Sequence, residues 1–375
     1  MATITISPNG RNFYEQDSAA TELLVGTADG IVVLTRSGPG EEWQEKRREL
    51  RGNHIESLVV EPTRGAILAG TGKSGVWASD DGGQTWERRS DGIASERIFA
   101  LNYVQAGDEL RLYAGTEPAE LYVSTDLGRH WRHLPALRDV PSVSEWTFPG
   151  GDHLAHVKTI AFHPQDPNTI YVGVEVGGAF KSTDAGETWR ELNGGGFYVD
   201  VHRLMVAPGR PNDVFMSTGR GIYHSVDAGE GWEKLPLPGV EGHDGRSASD
   251  GIYYPDGLVM LPQRPEVMFT AGANAAPPYW GKSPGGAHAR VARSRDGGRS
   301  WEYVSGYPSG RANIEAVTMN VFPGGYGLYV GTTDGEVFMS EDEGDHWTPI
   351  ITSLAPISKG LHYRGVRDWQ PAVAS

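Results

Sequence analysis

The sequence predicts an all-β protein, a seven-bladed β-propeller with four antiparallel strands per blade, on three observations. Among 375 residues stand 51 glycines and 24 prolines. An interior Gly costs a helix about 1 kcal/mol and an interior Pro about 3, so a helical bundle is excluded. The pattern S-x-D-x-G-x-x-W recurs six times, which chance does not produce. Short apolar runs bounded by Gly, Pro and Asp come in fours at the period of that pattern.

The motifs are Ser79-Asp81-Gly83-Trp86, Ser124-Asp126-Gly128-Trp131, Ser182-Asp184-Gly186-Trp189, Ser225-Asp227-Gly229-Trp232, Ser294-Asp296-Gly298-Trp301 and Ser340-Asp342-Gly344-Trp347. A worn seventh copy keeps only Trp43, which lies 304 residues before Trp347, giving six intervals of about 51. Within each period the first strand is a run such as IESLVVEP, VKTIAFHP or HRLMVAP. The second ends in Gly-Thr or a variant (LLVGT, LYAGT, IYVGV), and the third leads into the Asp motif (GVWAS, ELYVS, GAFKS). Asp accepts backbone N–H bonds and Gly supplies positive φ, so the motif makes a tight turn. Its Trp opens the fourth strand.

The whole chain, 1–375, reads as a single domain. Blade 1 takes about 20–51 plus 360–367, and blades 2 and 3 take about 52–92 and 93–137. Blades 4 to 7 take about 154–194, 198–238, 252–306 and 312–354. The first repeat begins at its second strand, TELLVGT, so the tail ISKGLHYRGVR is expected to close the ring as the inner strand of blade 1 and leave no open edge.

The net charge of −15 argues against nucleic acid and anionic membranes as partners. Cysteine is absent, which removes disulfides, thiolate metal sites and thiol nucleophiles. MATITISPNGRNFYEQ lacks the charge and apolar run of a signal peptide, and no apolar stretch approaches the length of a membrane span. A cytoplasmic location is the expectation. No G-x-G-x-x-G sits between strand and helix, so no nucleotide or flavin is expected.

The six motifs resemble the Asp boxes, or BNR repeats, of sialidases, xyloglucanases, sortilin-type ectodomains and the propeller-type photosystem II assembly factor. The run ELLVGTADGIVVLTRS resembles the opening of bacterial single-propeller proteins called sialidase-like or glycosyl-hydrolase-like. The resemblance covers residues 20–367 and implies the propeller, with the Asp box a structural turn remote from the active centre. It does not extend to a typical sialidase: the Arg-Ile-Pro signature of that family is absent, and Arg97-Ile98 is followed by Phe99. Xyloglucanases, as the family is known, set two propellers around a long groove. The photosystem factor relies on a basic patch and on export, and neither shows in this acidic chain.

Site candidates gather where the inner strands start. The Trp131–Trp189 and Trp232–Trp301 intervals are 58 and 69 residues, against 43–46 for the four others. The added segments carry Trp146 and Trp280 and are expected to form a lid over a pocket on the axis. His54, His156, His202 and His362 suit a divalent transition ion such as Fe, Zn, Cu or Mn. A solvated polar lining is the alternative. Glu117 and Glu175 follow the Gly-Thr step, where other blades have Ala28, Gly72, Gly219, Asn274 and Thr333. Together with Asp200 and His243 they suit general acid and base roles; capping loop amides is the other reading. Arg97, Lys158, Arg203, Asp256 and Glu315 complete a substrate-binding set. The expectation is a cytoplasmic enzyme for a small organic molecule, of hydrolase or lyase type and metal-assisted. The alternative is a non-enzymatic binding or assembly propeller that grips a protein. Oligomeric state is left open.

Overall fold

The computed structural model describes residues 2–149, 152–240, 251–282, 285–306, 311–365 and 369–370. Seven sheets repeat one hairpin-linked set of four strands, the architecture of a seven-bladed β-propeller. The chain falls into two compact units, one of 1–60 with 236–375 and one of 61–235. The sheet of Ile55–Val60, Ile67–Thr71, Val76–Ser79 and Glu87–Arg88 is where the chain passes from the first unit to the second.

In the 61–235 unit, one blade shows how sequence becomes sheet. Val157–Phe162, Ile170–Val174, Gly178–Ser182 and Arg190–Glu191 pair antiparallel in that order. The second strand is buried throughout, whereas the last is two residues long and solvated. In the turn, Ser182 Oγ accepts the Gly186 N–H at 2.8 Å and donates to Asp184 at 2.7 Å. Asp184 in turn accepts the Thr188 N–H at 2.9 Å, and the Trp189 indole donates to the Gly186 carbonyl at 3.0 Å. The Gly of the Gly-Thr step has a packing role. A Cβ on Gly115 would lie 2.4 Å from Val157 Cγ1, and one on Gly173 would lie 2.6 Å from Val201 Cγ1. Bare glycine lets these two second strands meet the next blade's inner strand.

In the other unit, the sheets of 254–303 and 314–351 follow the same plan. Closure of the first blade differs from expectation. Its inner strand is Thr3–Ile6, running parallel to Glu22–Thr27, with Ile4 at 0% and Ile6 at 1% exposure. Phe13–Glu15 adds a further parallel strand beside Ile314–Phe322. The tail contributes one residue to that position: Ile357 packs where Gly331 leaves room, and the Ala28 N–H reaches the Pro356 carbonyl at 2.8 Å. Beyond it the chain turns away, and His362–Gly365 is a 3-10 turn; 366 and 367 lie outside the described residues. The reason is composition. TITI is a β-branched alternating run, whereas SKGLHYRG carries two glycines and little that suits a ladder. Among the described residues no helix is long and apolar enough to cross a membrane.

Candidate functional site

The predicted residues fall into two buried polar networks, one inside each unit. In the 61–235 unit a recurring backbone clip builds the first. The residue after three of the second strands donates its N–H to the carbonyl just ahead of the blade's inner strand: Glu117 to Arg97 at 3.1 Å, Glu175 to His156 at 3.1 Å, Gly219 to Asp200 at 2.9 Å. Two of the three clipped residues are glutamates, so the clip delivers two carboxylates to one place.

His156 stands between them. Its Nε2 lies 2.6 Å from Glu175 Oε2 and its Nδ1 lies 3.3 Å from Glu117 Oε2. Lys158 Nζ donates to Glu175 Oε1 at 2.7 Å, and the Arg97 guanidinium is hydrogen-bonded to Glu117. His202 Nε2 lies 3.7 Å from Glu175 Oε1 and 3.5 Å from Asp200 Oδ1. Phe99 stacks on the His156 ring with centroids 3.8 Å apart, and Phe148 meets its edge at 5.0 Å. Burial pushes the His156 imidazole down, but its bonds to Glu117 and Glu175 outweigh that and hold it above the usual histidine value. Burial pushes Glu117 up, and the His156 and Arg97 bonds outweigh that in turn, so Glu117 is held below the usual carboxylate range. Glu117 keeps 11% of its side chain exposed, against 2% for Glu175, so it is the less buried of the two carboxylates.

The insertion after Trp131 folds as two 3-10 turns, Pro135–Asp139 and Pro141–Glu145, and runs on over this network. Trp146 packs on Phe180 at 5.1 Å and donates to Ser142 Oγ at 3.1 Å. Arg203 is buried at 5% exposure within the strand Val201–Val206. Of the expected metal ligands, His156 and His202 lie in this unit and His54 and His362 in the other. Among the described residues, the three whose ligand atoms lie within 4.8 Å of one another are Glu175, Asp200 and His202.

The second network, in the 1–60 and 236–375 unit, has the tail at its centre. Glu315 Oε2 accepts the Lys359 N–H at 2.8 Å and the Ser358 hydroxyl at 3.1 Å. Glu56 accepts the Gly360 N–H at 3.0 Å, and His54 Nε2 lies 2.6 Å from the Ser358 carbonyl oxygen. The Lys359 ammonium is ion-paired with Asp256 and lies 5.3 Å from the Tyr254 ring centroid. Asn313 Nδ2 donates to Asp256 at 2.8 Å and to Glu315 at 3.2 Å, and His362 Nδ1 lies 3.1 Å from Glu315. Trp280, expected in the substrate-binding lid, is 0% exposed with its indole N–H on the Ala275 carbonyl at 2.7 Å, so it is core. His243 lies outside the described residues.

Sequence reasoning missed Phe99 and Lys359. Three acids placed together on inner strands imply a cation, and that was the available signal for Lys359. A groove of about 560 Å³ opens elsewhere in the 61–235 unit, lined by Arg111, Asp126, His130, Arg132 and Glu187 among others; none of the expected site residues line it. Its Arg132–Glu187 pair, at 2.8 Å, is a solvated ion pair, and the buried network is the better place for chemistry.

Residues 77–88 match the BNR/Asp-box repeat. The fold is a β-propeller that carries this repeat in its turns. This propeller is 26% identical over 294 residues to a xyloglucanase of Paenibacillus sp., covering 68% of this chain and 27% of that protein. It is 26% identical over 270 residues to xyloglucanase Xgh74A of Acetivibrio thermocellus, covering 63% and 30%. The chain thus spans less than a third of the xyloglucanases it matches. It is 23% identical over 333 residues to the photosystem II assembly lipoprotein Ycf48 of Synechococcus sp. (strain CC9902), covering 76% and 87%. Among solved structures, an ancestral GH74 enzyme superposes with a TM-score of 0.58 at 17% identity, covering 78% of this chain and 38% of that one. The YCF48 structure bound to D1 peptide gives 0.50 at 16%, covering 79% and 81%. These two show the fold. The expectation of an enzyme for a small organic molecule is overturned by the two xyloglucanases, which are named for a polysaccharide, xyloglucan.

Proposed function

We propose that the chain is a carbohydrate-directed propeller of hydrolase type, and that its glucan-like polysaccharide meets the Arg97–Glu117 edge of the 61–235 network. The observation that carries this is Glu117: ionised, oriented by Arg97 and His156, and the more exposed of the two carboxylates on His156. An ionised carboxylate accepts hydrogen bonds and no donor role is open to it, so Glu117 takes a sugar hydroxyl or an attacking water. Glu175 has both oxygens occupied, at 2.6 and 2.7 Å, and orients His156 from behind. Phe148 supplies an apolar edge beside it. The His156 ring fills the space between the carboxylates, so they are not a facing pair with water between them of the inverting-glycosidase kind.

The test is release of reducing ends from xyloglucan and other β-glucans, together with retardation of the protein in gels that contain each polymer. Wild-type protein is expected to be retarded, and Glu117→Gln to lose retardation and any hydrolysis by about tenfold or more, the scale of one charge-assisted hydrogen bond. Wild-type protein that neither cleaves nor binds any of these polymers sinks the reading.

One observation favours a second reading, a propeller that holds a protein segment: the alignment with the Ycf48 assembly lipoprotein spans 87% of that protein, against 27% of the Paenibacillus xyloglucanase. Polymer binding lost in Glu117→Gln separates the two.

A further inference from the structure

In four of the six intact Asp boxes, a carbonyl of the box takes a hydrogen bond from the blade before it. The accepting carbonyl belongs to the positive-φ residue between the Asp and the Gly. Arg89 Nη1 donates to Leu127 at 3.0 Å, the Tyr113 and Tyr171 hydroxyls donate to Ala185 and Ala228 at 3.4 Å, and Arg293 Nη1 donates to Glu343. In Trp86, Trp189, Trp301 and Trp347 the indole also donates to its own box's Gly carbonyl, at 3.0–3.2 Å.

The worn box of the first blade breaks both arrangements. Counting back from Trp43, Arg36 stands in the place of the Ser, Gly38 in that of the Asp, and Pro39 in that of the positive-φ residue. The proline ring holds φ at about −65°, so the turn that presents the carbonyl does not form. The donors remain. Tyr329, on the last blade's strand Gly325–Thr332, stands two residues before the Gly of its Gly-Thr step, as Tyr113 and Tyr171 do. Its hydroxyl meets no partner among the described residues, and neither does the Trp43 indole N–H or Arg36 Nη2. Tyr329 is 0% exposed and Arg36 6%.

These three side chains stand together. The Arg36 guanidinium carbon lies 4.8 Å from the Trp43 ring centroid, and that ring meets Tyr329 edge-on at 6.4 Å. Burial pushes the Tyr329 hydroxyl above the usual tyrosine value, so it keeps its proton to donate. Arg36 Nε is bonded to the Ala20 carbonyl at 2.8 Å, and Nη1 lies 3.9 Å from the Met339 sulfur. Nη2 lies 3.5 Å from Glu341 Oε1, a carboxylate 42% exposed and therefore screened by water. Three buried donors, one of them a cation, call for an acceptor with negative charge, because unpaired buried donors and charges are costly. A water molecule accepts two hydrogen bonds, one fewer than the donors here, whereas a halide ion accepts all three.

We propose that Arg36, Trp43 and Tyr329 form a binding site for a small monovalent anion of halide size, which stands between the last and first blades where a box carbonyl stands elsewhere. The net charge of −15 gives the protein no general attraction for anions, so binding here is local. The site lies in the other unit from the carbohydrate edge and does not depend on that reading.

The test follows thermal unfolding of the wild-type chain at constant ionic strength in sodium chloride, sodium bromide or sodium gluconate, whose anion is too large for the site. About 100 mM chloride or bromide is expected to raise the melting temperature by about 2 °C or more over gluconate and to saturate, since an ion held by the folded state alone stabilises it by mass action. Tyr329→Phe removes one donor and keeps the ring. Its half-saturating chloride concentration is expected to rise about tenfold, the scale of one hydrogen bond to a charged group. Wild-type crystals soaked in bromide are expected to show an anomalous peak in contact with Arg36, Trp43 and Tyr329. Equal melting in chloride and gluconate overturns the proposal, and so does an unchanged chloride dependence in Tyr329→Phe, which would mark a general salt effect. Should that variant fail to fold, the crystals decide: no bromide at the three side chains overturns the proposal.

Discussion

His156 shows what one buried ring can be made to do. Its proton is held more tightly in the folded chain than in the unfolded one, whose histidine titrates near 6.5, because two carboxylates face its two nitrogens. The linked stability is therefore fully present below about pH 6.5 and is lost as pH rises through the folded value. His156→Gln removes the titration and leaves Glu117 and Glu175 facing a neutral amide. We expect urea unfolding to show it less stable than wild type by about 3 kcal/mol at pH 6, the scale of a broken buried pair, with a smaller gap at pH 9. An equal gap at both pH values would mean that His156 is neutral throughout and acts only by packing on Phe99. Part of this network was legible in advance. Glu117 and Glu175 stood out because the same step in other blades carries Ala28, Gly72 or Gly219. The stacking of Phe99 was not, since a Phe on an inner strand reads as ordinary core.

At the level of the strand and its turn, the repeat told two stories, only one of them visible in the letters. The Ser–Asp–Gly–Trp turns form as their spacing requires, but the residue between Asp and Gly adopts positive φ even where it is Leu127, Ala185, Ala228 or Glu343. Side chains rarely accept that conformation, so no composition rule marks these positions. The Gly-Thr step reads in sequence as a turn signal, whereas in the fold it is a strand end stripped of its side chain so that the neighbouring blade can approach. Gly115 is the tightest of the Gly-Thr steps, with Val157 Cγ1 2.4 Å from where a Cβ would sit. Gly115→Ala is expected to cost about 1–3 kcal/mol through overpacking, measured as a fall in the urea midpoint. Gly194→Ala, with open space around it, is the control and is expected to stay within about 0.5 kcal/mol. A neutral Gly115→Ala would show that the blades yield easily, and the packing role of the step would have to be given up.

For the molecule as a whole, seven repeats made the propeller legible, because a pattern copied six times leaves few other architectures. Closure was not, because it depends on a single stretch outside the repeat. TITI is four residues long, ahead of the first recognisable blade, and a tail of the right length competes for the same place on paper. In the fold, the contest is settled by burial: Ile4 is 0% exposed, whereas Leu361 is 51% exposed. This division makes a prediction about which end holds the first blade. Ile4→Ala removes a fully buried branched side chain and is expected to cost about 2–5 kcal/mol. Leu361→Ala is expected to change stability by no more than about 0.5 kcal/mol. Urea titrations of both variants with unchanged slope decide it, since a midpoint shift at constant slope is a change in stability alone. If Leu361→Ala costs as much as Ile4→Ala, the tail rather than the first strand seals the edge.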